Sequence, residues 1–95
     1  MSWLLTSKDE LDKFKTHLTS VGITFNEEGY YFGIECKDGR HDFFSIYKIG
    51  EPPNGYYRVG YDGTGGLLNW NETIRSWPSE ETKKIIDDAI SSIKK

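Results

Sequence analysis

At Gly22 the spacing of apolar residues changes from three and four to two, and no single regular element accommodates both periods. Before it, Leu11, Phe14, Leu18 and Val21 form one helical stripe. Ser7 and Glu10 stand three apart ahead of that stripe, as in a capping box, where each side chain satisfies a backbone donor of the first turn. Gly22 then suits a left-handed helix end, with Ile23 as the apolar residue that follows it. The pattern predicts a helix over 7–21.

Beyond Gly22, alternation predicts strands. Ile23 and Phe25 precede an Asn26-Glu27-Glu28-Gly29 turn, and Tyr30, Phe32, Ile34 and Cys36 alternate with more polar neighbours. Lys37-Asp38-Gly39 reads as a tight turn, 42–49 as a strand, and 50–55, with Pro52 and Pro53, as a loop. A further strand is expected over 56–61, followed by an Asp62-Gly63-Thr64-Gly65-Gly66 loop. Residues 67–77 read as a short strand and irregular chain, with a short helix capped by Asn69 or Asn71 as the alternative. Pro78 stops what precedes it. Ser79 caps a closing helix with Glu80 and Glu81 in its first turn, Lys94 and Lys95 in its last, and a stripe of Ile85, Ile86, Ala89, Ile90 and Ile93. The expected fold is a single α+β domain over 1–95. It has an N-terminal helix, an antiparallel meander of four to five strands and a C-terminal helix, with the helices packed on one sheet face.

Strand parity then selects an outer face. A four-residue turn at 26–29 puts Ile23, Phe25, Tyr30, Phe32, Ile34 and Cys36 together as a core set. A two-residue Asp38-Gly39 turn would add Phe43, Ser45, Tyr47 and Ile49 to it. A three-residue turn with Gly39 left-handed adds Phe44 and Ile46 instead. The bulged turn is favoured, because it keeps Ser45 out of the core and sends Asp42 to a strand end. The outer face then carries Tyr31, Phe43, Tyr47, Ile49, Tyr56 and Arg58, with Gly33 and Gly60 between them. A glycine inside a strand admits close approach by another group. Either this face is a binding surface with bare backbone between aromatic walls, or neighbouring rings or 67–77 cover it.

Composition excludes several classes. The aromatic fraction of 15% supplies large buried area for a short chain, so disorder is excluded. No apolar run approaches the ~18 residues of a membrane span, and no export signal is present. The lone Cys36 rules out an internal disulfide and fits a reducing compartment, so a cytoplasmic location is expected. A net charge of −3 argues against nucleic acid as partner. Ten acids against five bases between Gly22 and Thr82 would steer a basic protein partner.

No catalytic residue, metal ligand set or cofactor motif emerges. Asp62, Gly63 and Gly65 belong to a glycine-rich loop able to offer backbone donors to an anion, but the P-loop lysine and spacing are missing. His41 and Asp42 are strand neighbours that point apart. Cys36 lies across the hairpin from Arg40 and His41, a pairing that would suit a nucleophilic thiol, although a buried structural cysteine is the commoner case. The helix–strand–strand–strand–helix order superficially echoes a double-stranded-RNA-binding module, but with an extra strand and without the basic edge that module needs.

Three functions follow in order of support. The first is a protein-binding domain acting as an inhibitor, immunity-type or regulatory protein, with Tyr31, Phe43, Tyr47, Tyr56 and Arg58 as contact residues. The second is a nucleotide-like ligand binder, with rings on the base and Arg58 or the glycine-rich loop on the phosphate. The third is a small hydrolase or transferase using Cys36 and His41.

Overall fold

The computed structural model describes residues 2–51, 53–65 and 77–94. Its elements run β1 (Ser2–Leu5), α1 (Lys8–Ser20), β2 (Tyr31–Glu35), β3 (His41–Ile49), β4 (Tyr56–Gly65) and α2 (Glu80–Ile93). Among the described residues, two helices and a four-stranded antiparallel sheet make an α+β fold. Residues 67–76 of the stretch read as strand or short helix lie outside the described residues.

Local signals set α1 as expected. The Ser7 hydroxyl accepts from the Glu10 amide at 3.1 Å. Glu10 reaches back to the Thr6 amide at 2.8 Å, so the reciprocal half of the box falls one residue early. Gly22 takes φ +92°, and the Gly22 and Ile23 amides bond to the Thr19 and Leu18 carbonyls. Ser79 likewise caps α2, accepting from the Thr82 amide.

The strand order is β1-β4-β3-β2, which corrects the simple meander. The chain opens on a strand rather than a helix. Residues Ser2-Trp3-Leu4-Leu5 are too few to signal a strand by periodicity. They become one by pairing with β4 (Ser2↔Gly60 to Leu5↔Tyr57), a partner more than fifty residues away. The expected strand at 23–25 shrinks to a single bridge, Phe25↔Phe32. Tyr30, expected in the core, is exposed beneath the Lys15 ammonium, 4.5 Å from its ring centroid. The cause is Asn26: its carboxamide oxygen accepts from the Gly29, Tyr30 and Tyr31 amides, and Phe25 pairs with Phe32 two residues beyond the expected Tyr30.

The 37–39 turn takes the bulged form. Gly39 sits at φ +88°, its amide bonds to the Cys36 carbonyl, and the Cys36 amide bonds to the Arg40 carbonyl at 2.7 Å. A side chain is strained at that φ. Gly39→Ala is therefore expected to lower stability by about 1 kcal/mol or more, read as a lower urea midpoint with unchanged slope.

Residues 62–65 are strand, not loop. β4 runs to Gly65 opposite His41, and the register shifts at Asp62, where Phe43 faces Gly63 while Phe44 faces Tyr61. One extra residue on β4 makes a β-bulge, which keeps a glycine-rich stretch paired after its parity has changed. Thr64 thereby turns inward and donates to Asp42 at 2.6 Å.

The register brings Phe32, Ile34, Phe44, Ile46 and Val59 into one buried cluster with Leu11, Phe14 and Leu18 of α1 and Ile86 and Ala89 of α2. Leu5 joins this cluster, and Trp3 packs against it while its indole N–H donates to Asp87 at 2.7 Å. Among the described residues no helix is long and apolar enough to cross a membrane.

Candidate functional site: an aromatic sheet face

Alternate residues of each strand point away from the buried cluster, and the register sets them side by side. Leu4, Arg58 and Tyr47 form one row across β1, β4 and β3. Tyr56 faces Ile49, and Phe43 lies between Gly63 and Gly33. Tyr31, Tyr47 and Tyr56 are 41%, 39% and 37% exposed, while Phe43 and Arg58 are half-buried. The five residues expected to share this face therefore do so, in the register that the bulged turn sets.

Four of them, joined by His41, occur as two sets, and Tyr56 lies apart from both beside Ile49. At one end Phe43 stacks between Tyr31 and His41, with ring centroids 5.9 and 6.0 Å away and planes within 15°. At the other the Arg58 guanidinium lies over the Tyr47 ring, 4.6 Å from its centroid, a cation–π contact worth about 0.5–1 kcal/mol where exposed. Asp62 stands between the sets, accepting from the Ser45 and Tyr47 hydroxyls. Asp62 keeps the alternation of Arg58 and Gly60, so this carboxylate lies on the same face as the rings.

The backbone patches are not bare. A Cβ on Gly33 would lie 3.0 Å from the Phe43 ring, and one on Gly60 would lie 3.1 Å from both Tyr47 and Arg58. The rings and guanidinium rest on the glycines, so Gly33 and Gly60 serve to seat neighbouring side chains flat on the sheet. Gly65 also sits against Phe43, at 3.7 Å. Asp62, Gly63 and Gly65 thus belong to this face through β4, and not to an anion-cradling loop, because residues 62–65 lie within the β3–β4 pairing.

The other polar centre is buried. Asp42 is fully enclosed, and its carboxylate accepts from the Thr64 hydroxyl at 2.6 Å, the Ser79 amide at 2.9 Å, the Ser79 hydroxyl at 3.1 Å and the Cys36 thiol at 3.3 Å. Burial opposes its ionisation, but hydrogen bonds from Thr64, the Ser79 amide, Cys36 and Thr82 outweigh that. The carboxyl is held well below the usual carboxylate range. So strong an acid is a poor general base at neutral pH. Cys36 is buried in this cluster while His41 stacks on Phe43 across the sheet, so the two do not form a nucleophile–base pair. Among the described residues no group of three potential ligands is placed for a metal.

Sequence reasoning missed Leu4 and His41 as members of the outer face and Asp42 as a buried hub. Parity held the signal for Asp42, which alternates in step with Phe44 and Ile46. Leu4 carried none until β1 had its partner. No family model matches the chain, and no curated protein or solved structure matches it.

Proposed function

We propose that this chain is a small protein-binding domain that docks a folded partner on the outer face of its sheet, as an inhibitor, immunity-type or regulatory protein does. In this reading both helices cover the inner face and leave the outer one open. The observation that carries it is the partly exposed layer of Tyr31, Phe43, Tyr47, Tyr56 and Arg58, in which Tyr31 stacks on Phe43, Arg58 on Tyr47, and Phe43, Tyr47 and Arg58 rest on the glycines beneath them. Tyr, Phe and Arg are the residues enriched in interface cores, and rings held in place lose little entropy on binding. Asp62 adds a carboxylate among them, and the acidic middle of the chain favours a basic partner surface.

A pull-down from the native cell tests this reading. Wild-type bait is expected to retain a partner in stoichiometric amount, and bait carrying Tyr47→Ala with Arg58→Ala is expected to lose it. Equal recovery on both baits contradicts the reading.

A further inference from the structure

The two edges of the sheet are built differently. On β2 the outward side is guarded: Phe25 bridges to Phe32, the Asn26 amide bonds to the Tyr31 carbonyl at 2.8 Å, and the Asn26 side chain accepts from the Tyr31 amide. Glu35 then places a charge where the edge is open. Among the described residues β1 has no such guard. There it is the terminal strand of the order, paired with β4 alone, and Ser2-Trp3-Leu4-Leu5 contains no charge, proline, glycine or bulge. Leu4 on its outer face is 50% exposed. Edge strands are ordinarily blunted by those devices, and one without them is a template for another strand.

We propose that β1 is a self-association edge, pairing antiparallel with β1 of a second copy of this chain. A two-fold axis through Leu4, perpendicular to the sheet, sets Leu4 against Leu4 of the other copy and Trp3 against Leu5. In that register every side chain stays on its own face, Trp3 and Leu5 towards the core and Leu4 outward. The strand is uncharged, so its own copy places no like charges opposite each other, the condition that a self-pairing edge must meet. The product is a continuous sheet of eight strands, within the usual size of open sheets. The aromatic outer face remains free on both copies, so this inference stands apart from the binding reading.

Sedimentation equilibrium over a concentration series, with amide hydrogen exchange at the two ends of that series, tests it. The wild-type chain is expected to move from monomer to dimer mass as concentration rises, with protection increasing at the β1 amides. Leu4→Lys changes a half-exposed side chain, so it is expected to match the wild-type melting temperature at the dilute end of the series yet remain monomeric throughout. Tyr47→Ala is expected to dimerise as wild type. A wild-type chain that stays monomeric overturns the proposal, as does a dimer that survives Leu4→Lys or protection that rises away from β1.

Discussion

Replacing Phe32 by alanine is expected to cost about 3–5 kcal/mol, the usual range for removing a buried phenylalanine. Phe32, the second residue of β2, is 1% exposed, and its ring meets Phe44 at 5.2 Å, Phe25 at 5.0 Å and Phe14 at 6.1 Å. Those three rings come from β3, the chain after α1, and α1 itself, so the vacated space borders three segments that cannot all close on it. A domain of this size holds on the order of 5–15 kcal/mol in total. Urea unfolding at neutral pH should therefore show Phe32→Ala at or near its midpoint in little denaturant. A loss below about 1 kcal/mol would place Phe32 on the outer face and invert the sheet.

Asp42→Asn is expected to cost about 3 kcal/mol or more, since bonds to a charged acceptor contribute about 1.5–3 kcal/mol each and at least four donors converge on this carboxylate. Asparagine turns one of those oxygens into a donor facing donors. The contacts join β3, β4 and the residue after β2 to the N-cap of α2, so the damage should include loosening of that helix start. The pH dependence follows from the depressed folded value. The unfolded carboxyl titrates near 3.8, and the folded one lower. The contribution is thus complete above the unfolded value and is lost as pH falls from there towards the folded value. The stability gap between wild type and Asp42→Asn should be constant near neutrality and shrink below about pH 4. A gap that stays constant into that acid range would mean the carboxylate is not held by these bonds.

The parts of the fold that rest on neighbours in the chain could be read directly. Ser7, Glu10 and Gly22 mark the ends of α1 by chemistry confined to one turn, and Gly39 selects its hairpin by the φ it permits. Reading Tyr31, Phe43, Tyr47, Tyr56 and Arg58 onto one face needed only that hairpin and the two-residue period. What could not be read depends on distant partners. The β1 strand exists through β4. The 62–65 stretch looks like a turn because glycine weakens strands, yet pairing with β3 and the Thr64–Asp42 bond hold it in the sheet. Asn26 is a local exception: one side-chain oxygen three to five residues from its donors lengthened the turn, where composition alone fitted a shorter one equally well.

The central claim, that the outer sheet face is the binding surface, is tested most directly by measuring melting temperature and partner affinity on the same two variants, Tyr47→Ala and Arg58→Ala. Each removes one half of the stacked pair on Gly60, a contact of about 0.5–1 kcal/mol, so both should melt within a few degrees of wild type. If these residues anchor the partner, each variant should bind it at least about thirtyfold more weakly, corresponding to about 2 kcal/mol. Wild-type affinity in both variants, with melting likewise unchanged, would contradict the claim.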